Sequence, residues 1–233
     1  RSPGSALALL FLLGITLAAI FADLLPLNPY AQKLVNALNG PSAANWFGTD
    51  EVGRDILARV VFGARTSLLT APAAVIGVPI GLVAGFFGGW RDATLMRFVD
   101  VLLALPAILF AMAMIAVLGR SQVAALIAVG ITGIPSFARI TRAQVLSLRR
   151  RDFVTAVEAF GGSSAYNMFR TILPNSWSPI FVQIVVLCSV AILLEAALSF
   201  LGVGVAPPTP SWGEMLRTGK SYLHEAPYYA VLP

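Results

Sequence analysis

Long uncharged runs alternate with short polar intervals along this chain. Each run holds about 18 or more mostly apolar residues, enough for a helix to cross a hydrocarbon core of roughly 30 Å. The runs cover residues 2–22, 66–90, 101–119, 121–138 and 171–194. This pattern predicts an all-α polytopic membrane protein, a single transmembrane domain over residues 1–233. The predicted spans are 5–22, 66–89, 101–119, 121–140 and 175–195, with a sixth expected after Pro233.

The composition supports this class and weakens others. Hydrophobic residues make up 58% of the chain and charged residues 12%, whereas soluble domains carry about 25% charged residues. The net charge of +5 reflects basic residues beside membrane spans, so we expect membrane lipid and no nucleic acid as a partner. The single cysteine, Cys188, excludes an internal disulfide.

No catalytic motif is complete. His224 is the only histidine, which leaves a Ser-His-Asp triad or a His-based metal site without support. Residues 213–221 resemble a phosphate loop, but they place five residues rather than four between the two glycines. The sequence therefore predicts no catalytic residue, no bound metal and no enzymatic activity of this chain alone.

The distribution of arginines predicts the orientation. Residues 139–174 hold six arginines and two acids, the richest basic interval, and the positive-inside rule places such an interval in the cytoplasm. Counting back through the spans puts the N-terminus in the cytoplasm. An outer segment at 23–65 and an outer loop at 203–230 then face the other side.

The outer segment contains a motif rich in charge at 48–69. Thr49 or Asp50 is predicted to cap a helix there. The apolar positions of this helix fall on one face, at Val52, Ile56, Leu57, Val60 and Val61. The charged positions fall opposite, at Glu51, Arg54, Asp55 and Arg59, with Asp50–Arg54 and Asp55–Arg59 spaced as ion pairs. We interpret it as an amphipathic helix at the membrane surface; contact with substrate is the alternative.

Within the spans, two features suggest function or packing. Glycines recur at every fourth position, which lets a neighbouring helix approach closely: Gly77, Gly81, Gly85 and Gly89. Glu195 lies in the apolar stretch 171–205, where an ionisable group is a functional candidate; an interfacial carboxylate at the helix end is the alternative. The candidates for the pathway or its gate are Pro106, Met112, Glu195 and Phe200.

The second half of the basic interval predicts a jointed pair of helices. Thr155 and Glu158 fit a capping box, Gly161 breaks the helix, and Ser163 or Ser164 can cap another helix that runs to about Arg170. Pro174 ends the unit. Such a hairpin, held at both ends by spans, would transmit force as a lever. The candidate coupling residues are Thr155, Ala156, Glu158, Gly161, Ser163, Ser164, Tyr166, Asn167, Met168, Phe169, Arg170, Leu173 and Pro174.

These residues carry a family resemblance. Gly161, Leu173 and Pro174 resemble the EAA loop of ABC importer permeases. Further segments that resemble the C-type permease subunit of dipeptide/oligopeptide/nickel importers lie at 48–55, 63–68, 85–90, 195–202 and 207–212. One departure is that residues 155–157 read Thr-Ala-Val where the family has Glu-Ala-Ala, so the carboxylate of the motif is absent.

The resemblance implies a type I ABC importer transmembrane fold in a bacterial inner membrane. It implies a heterodimer with a homologous permease, two cytoplasmic ATPase subunits and an extracytoplasmic substrate-binding protein. ATP and Mg would be bound by the ATPases, and no cofactor by this chain. Peptides are the expected substrate, with nickel, haem, glutathione or another small solute as alternatives. A channel or scaffold subunit without ATPase coupling is the alternative of another class.

Overall fold

In a computed structural model, residues 3–70 and 75–233 are described. The chain divides into two compact units, which we treat separately. Unit 1 comprises residues 1–69, 114–125 and 192–233, and unit 2 comprises residues 70–113 and 126–191. The described residues form helices and turns with no β-strand, apart from one isolated bridge between Thr49 and Asp55. The prediction of an all-α protein is therefore confirmed.

The helices are named in chain order. They are α1 (Pro3–Ile20), α2 (Ile56–Thr70), α3 (Gly77–Phe87), α4 (Gly89–Ala104), α5 (Ala107–Leu118), α6 (Gln122–Leu148), α7 (Asp152–Ala159), α8 (Ser164–Tyr166), α9 (Leu173–Asn175), α10 (Trp177–Phe200), α11 (Trp212–Gly219) and α12 (Pro227–Val231). A π-helical turn at Asn167–Ile172 joins α8 to α9.

Among the described residues, α6 and α10 are long and apolar enough to cross a membrane. Their lengths are 27 and 24 residues, which exceeds the roughly 20 residues that a spanning helix needs. Helices α4 and α5 are long and apolar enough only when they are counted together. They meet at a bend of 90°, so together they would form one broken span. The second predicted span falls partly on residues 71–74, which lie outside the described residues.

The bend lies beside Pro106. Leu105 has extended backbone, as the residue before a proline prefers, so α4 cannot continue into α5. The polar residues 91–100, which separate the predicted spans 66–89 and 101–119, lie within α4. Their acids are held by α6: Arg142 binds both oxygens of Asp92 at 2.6 Å, and Arg139 binds Asp100 at 2.7 Å.

The core of unit 2 joins membrane helices to the chain after α6. Leu82 and Phe86 of α3, Val145 of α6 and Val154 of α7 pack with Met168 and Ile172 of the π-helical turn. A second cluster joins Val78, Phe137, Ile180 and Leu187. In unit 1, the core outside α1 is built from residues far apart in sequence: Ile56, Met215, Ala226 and Tyr229.

Candidate functional site

The first arm of the lever is α7, and it begins earlier than predicted. Arg151 has extended backbone at the N-cap, and Asp152 lies in the first turn, where a carboxylate interacts favourably with the helix dipole. Thr155 is therefore inside α7, and its hydroxyl faces the carbonyl of Arg151 at 3.5 Å. The predicted capping box at Thr155 and Glu158 is wrong because the helix starts before Thr155.

A glycine joint separates the two arms. Gly161 has φ = +79°, a left-handed conformation that glycine adopts without the strain of a Cβ. Gly162 packs closely against Val157. A Cβ added to Gly162 would lie only 2.5 Å from Val157 Cγ1. Ser163 then caps the second arm, since its hydroxyl accepts a hydrogen bond of 3.2 Å from the Tyr166 backbone N–H. Ser163, and not Ser164, therefore occupies the N-cap.

The inner side of the second arm is fixed to unit 2. Asn167, Met168 and Ile172 are buried, and the last two contact the apolar core described above. Asn167 Nδ2 donates to the carbonyl of Val154 and to Oε1 of Glu158, both at 3.3 Å. Because these bonds join the second arm to α7, the two arms are held together as one body on α3 and α6, which we call the lever (residues 152–175).

The outer side of the lever presents aromatic rings to solvent. Phe160 at the joint is 91% exposed, and Tyr166 and Phe169 are each more than half exposed. Phe153 and Phe160 are exposed but are not among the predicted coupling residues. The sequence feature that could have identified them is an aromatic residue within a basic, polar interval. The other exposed coupling candidates are Thr155, Ala156, Glu158, Gly161, Ser163, Ser164, Arg170 and Pro174, and Leu173 is half-buried.

The pathway candidates fall in both units and stay predictions. In unit 2, Pro106 is exposed at the bend and Met112 is half-buried in α5. In unit 1, Glu195 is buried in α10 and accepts a hydrogen bond of 2.9 Å from Ser199. The Lys220 ammonium lies 5.7 Å from the centre of the Phe200 ring.

Gly77, Gly81 and Gly85 lie on the face of α3 that packs against α6. A Cβ on Gly77 or Gly81 would overlap the carbonyl oxygen of Ile134 or Ala138, and one on Gly85 would lie 2.8 Å from Val145 Cβ. Gly89 does not belong to this face, since α3 ends at Phe87 and nothing lies within 4 Å of a Cβ at Gly89. With φ = +58°, it forms the corner between α3 and α4 instead.

The motif of the outer segment builds a compact body in unit 1 that we call the platform (residues 33–60 and 205–231). Two glycines with positive φ let other segments approach closely. Gly48 (φ = +78°) meets Asn39 and the Tyr228 ring, and Gly53 (φ = +75°) meets the backbone of Lys33. Any side chain at either glycine would displace a backbone segment.

Charged residues lie in the interior of the platform. Asp50 Oδ2 is 2.5 Å from Arg54 Nε and 3.6 Å from Arg59 Nε, and all three side chains are at least nine-tenths buried. Arg54 also binds Glu51 at 2.9 Å, and Glu51 accepts a hydrogen bond from Tyr229. The predicted exposed charged face is therefore wrong: the charges pair in the interior, where they compensate one another.

This environment shifts two pKa values. Burial, and then the charge of Arg54, lower the pKa of Arg59, against the opposing effect of Asp50. Burial, and then the hydrogen bond to Glu51, raise the pKa of the Tyr229 hydroxyl well above its ordinary value, so Tyr229 remains a neutral donor at neutral pH.

The helix of the platform starts later than predicted. Asp55 Oδ1 accepts from the Ala58 N–H at 2.9 Å at the start of α2, while Asp50 Oδ1 accepts from the N–H groups of Val52 and Arg54 in a turn. The predicted Asp55–Arg59 pair is not formed, because Arg59 points toward Asp50 and toward the Pro208 carbonyl at 3.4 Å. Trp212 Nε1 donates to the Val60 carbonyl at 2.9 Å, which fixes the outer loop to α2.

Two features now define the class of protein. Apolar helices of spanning length carry a rigid lever with exposed aromatic rings, and a separate unit carries a charge-paired platform. Neither feature holds a catalytic constellation among the described residues. The class is that of a multi-span membrane protein.

Comparison with known proteins identifies the family. The family model described as "Binding-protein-dependent transport system inner membrane component" matches residues 77–232. The chain belongs to this family. It is a membrane-embedded permease subunit of an ATP-driven importer of the bacterial inner membrane, and such importers work with ATPase and binding-protein partners.

The similar curated proteins cover nearly the whole chain. The dipeptide transport system permease protein DppC of Alkalihalophilus pseudofirmus is 43% identical over 231 residues, which is 97% of this chain and 76% of that protein. The di/tripeptide permease DppC of Pseudomonas aeruginosa is 40% identical over 245 residues, covering 100% of this chain and 81% of that protein. The glutathione permease GsiD of Escherichia coli O157:H7 is 41% identical over 235 residues, covering 97% and 77%.

Proposed function

We propose that this chain pairs with a homologous permease to form the pathway of a di- and oligopeptide importer, and that its lever couples this pathway to two cytoplasmic ATPases. The peptide substrate is supported by the similar proteins, of which two are named for dipeptides or di/tripeptides and one for glutathione. None of these three relatives is named for nickel or haem. ATP and Mg are bound by the ATPase subunits, and this chain performs no chemistry itself.

One observation carries the coupling role. The lever is packed by Met168 and Ile172 onto α3 and α6, while Tyr166 and Phe169 face solvent on its other side. A helix that is buried on one side transmits displacement to the helices beneath it, since packed interiors have low compressibility. The exposed aromatic residues are of the type that dominates protein interfaces.

The coupling role of the lever also implies an orientation in the membrane. The six arginines of residues 139–174 support a cytoplasmic position of the lever, where ATP is available to the partner subunits. The N-terminus is then cytoplasmic, and the platform is extracytoplasmic. ATP-driven closure of the ATPases would bind one of two arrangements of the permeases more tightly and shift the population toward it.

The lever keeps its structure although Thr155 replaces the glutamate of the family motif. Asn167 and Glu158 join the two arms through the bonds described above, and neither bond involves Thr155. We infer that the aromatic side chains and the packed inner side carry the coupling.

The test is retention of ATPase subunits by the purified complex. We expect the double variant Tyr166→Ala/Phe169→Ala to lose most bound ATPase while the two permeases stay together. The control is Phe181→Ala, an aromatic residue of α10 that is also more than half exposed. Full ATPase retention in the double variant, with unchanged ATP-dependent peptide uptake, would refute the coupling role.

A second variant tests whether the lever transmits movement or only binds the ATPase. Gly161→Pro cannot adopt φ = +79°, because proline fixes φ near −65°. We expect this variant to lose ATP-dependent uptake even where some ATPase still binds. A channel or scaffold subunit would keep its solute flux in both variants and in the absence of ATP.

A further inference from the structure

Two arginines of unit 2 stand on a continuous row of aromatic rings at the end of α3. The Arg149 guanidinium lies 5.6 Å from the centre of the Phe86 ring. Phe86 and Phe87 meet edge to face, with 5.2 Å between their ring centres. The Arg91 guanidinium lies 4.6 Å from the centre of the Phe87 ring and 5.9 Å from that of Trp90. We call these residues the arginine–aromatic ladder.

The ladder is anchored in the protein at one end and open to its surroundings at the other. Phe86 is buried in the core of unit 2, so the position of its ring is fixed. Trp90 is 75% exposed, and Arg91 and Arg149 are exposed as well. A cation–π contact holds a guanidinium over a ring without using its N–H groups, which stay available as donors to a ligand.

The positive charge of the ladder is not neutralised by the neighbouring acids. Both acids of α4, Asp92 and Asp100, are engaged by arginines of α6. Neither Arg91 nor Arg149 forms an ion pair within the described part of the chain. Two planar guanidinium groups are therefore available to an oxyanion, and phosphate is a group that such a fork binds well.

The ladder lies where an apolar helix gives way to charge. Helix α3 is uncharged, whereas Arg91 follows directly on Trp90 at the start of α4. Tryptophan is enriched at the boundary between membrane and water, and a change from uncharged to basic sequence marks the same boundary. The ladder is therefore placed at the level of lipid headgroups.

An apolar surface continues from the ladder along α4. Phe98 and Val101 are exposed, on the side of α4 away from Asp92, which faces α6. Arg97 is a further exposed cation of this helix. The surface thus combines cations at the headgroup level with apolar side chains beyond them, which matches the two ends of an anionic amphiphile.

We propose that the ladder and the adjoining side of α4 bind an anionic phospholipid of the inner membrane. The phosphodiester accepts hydrogen bonds from Arg91, Arg149 adds electrostatic attraction, and an acyl chain packs on Phe98 and Val101. The proposal needs only the inner-membrane location of the family, and neither the peptide pathway nor the coupling role of the lever.

Charge and hydropathy together favour a lipid over a free anion. A free phosphate would contact only the guanidinium groups and would leave Phe98 and Val101 uncovered. A phospholipid covers both parts of the surface at once. Basic clusters beside membrane helices are the usual sites for anionic headgroups, to which each arginine near the membrane surface is attracted.

The experiment measures lipid binding to the purified, complete importer by native mass spectrometry, with phosphatidylglycerol and phosphatidylcholine as the probes. We expect phosphatidylglycerol to bind more tightly to the wild type. Arg91→Gln and Arg149→Gln should each weaken its binding by about fivefold in Kd, the effect of one basic residue near an anionic surface. The Kd for phosphatidylcholine should not change.

A variant that keeps every charge tests the aromatic part of the ladder. Phe87→Leu removes the ring on which Arg91 lies and leaves the guanidinium unsupported. We expect the Kd for phosphatidylglycerol to rise by about two- to fivefold, as the loss of an exposed cation–π contact implies. This variant also keeps the proposal testable if a charge substitution impairs folding.

The matched control is Arg150→Gln. Arg150 is exposed and directly follows Arg149, but it lies over no aromatic ring within the described residues. This variant should bind phosphatidylglycerol as the wild type does. Equal losses for Arg149→Gln and Arg150→Gln would indicate general surface charge and overturn the proposal.

Three other outcomes would also overturn the proposal. One is equal affinity of the wild type for the two lipids, or an unchanged affinity in the Arg91→Gln/Arg149→Gln double variant. Another is loss of a protein subunit from that variant, which would make the ladder a contact between subunits. The third is displacement of the lipid by an equal concentration of inorganic phosphate, which would indicate a site for a free anion. A wild-type complex that retains no ATPase would refute the proposed function instead, and lipid binding could still be measured.

Discussion

The hydroxyl of Tyr229 donates a hydrogen bond of 2.5 Å to Oε2 of Glu51, a residue 178 positions earlier. Tyr229 belongs to α12 and Glu51 to the turn before α2, so the bond joins the two ends of the platform. Glu51 in turn binds Arg54, and Arg54 binds the buried Asp50. The platform is therefore closed by a chain of polar contacts as well as by its apolar core.

Removal of this hydroxyl should weaken the platform. We expect Tyr229→Phe to lower stability by about 1–2 kcal/mol, because a hydrogen bond to a charged group is lost in a buried place. The measurement is the Tm of the purified chain in detergent. Tyr30→Phe is the control, since Tyr30 is exposed and its hydroxyl should contribute little. Equal Tm values for the Tyr229 variant and the wild type would contradict the expectation.

The stabilising effect of the Tyr229 hydroxyl should depend on pH. The pKa of Tyr229 is raised in the folded protein, so the folded state holds this proton more tightly than the unfolded chain does. Its stabilising effect is complete below the ordinary tyrosine pKa of about 10 and is lost as the pH rises beyond that value. The Tm difference between wild type and Tyr229→Phe should be constant from about pH 6 to pH 9 and shrink above about pH 10. A difference that shrinks below neutral pH would exclude this mechanism.

Asp50 should be more sensitive than Tyr229. It is fully buried, and it faces both Arg54 and Arg59. Asp50→Asn leaves two buried cations with less compensation, which typically costs about 3–5 kcal/mol. The control is Asp100→Asn, whose side chain is half exposed and which should cost less than about 1 kcal/mol. Expression level and Tm measure both, and similar losses for the two variants would refute the special role of Asp50.

The contrast between the two motifs explains what sequence could predict. Glycine spacing at Gly77, Gly81 and Gly85 predicted a close helix face, because that signal depends only on the period of one helix. The helix pattern of residues 48–69, however, also predicted an exposed charged face, which the structure contradicts. Arg59 contacts the Pro208 carbonyl of the outer loop and Glu51 contacts Tyr229 of α12, about 150 or more positions away, and no local pattern contains those contacts.

The predicted capping box failed for a related reason. Thr155 and Glu158 have the required spacing, but Asp152 offers an earlier helix start, and the apolar contact of Val154 with the core fixes α7 in that frame. Tertiary packing decided between two locally acceptable helix starts. Gly161 was identified correctly as the joint because its positive φ is a local requirement.

The close contact between α3 and α6 should make the protein sensitive to substitution of Gly81. A Cβ there would overlap the Ala138 carbonyl and lie 2.8 Å from Thr141 Cβ, which the α6 backbone cannot avoid without moving. Gly81→Ala should destabilise unit 2 by about 1–3 kcal/mol through overpacking. Gly14→Ala is the matched control, a helical glycine with nothing within 4 Å, and should be neutral or slightly stabilising. A neutral Gly81→Ala, measured by Tm and by monodispersity in detergent, would mean that the helices separate easily.

The last prediction concerns the link between α4 and α6. Arg142 binds both oxygens of Asp92 at 2.6 Å in a partly buried pair, whereas Arg139 makes one bond of 2.7 Å to Asp100 in an exposed pair. A double-mutant cycle with Arg142→Ala and Asp92→Ala should give a coupling free energy of about 1–2 kcal/mol, because bidentate geometry holds both groups in register. The cycle with Arg139→Ala and Asp100→Ala should give less than about 0.5 kcal/mol, since exposed pairs are screened by solvent and salt. Raising the salt concentration should reduce the second coupling more than the first. If both cycles gave the same small value, α4 would be held by apolar contacts alone, and the arginines of α6 would serve only to set the orientation in the membrane.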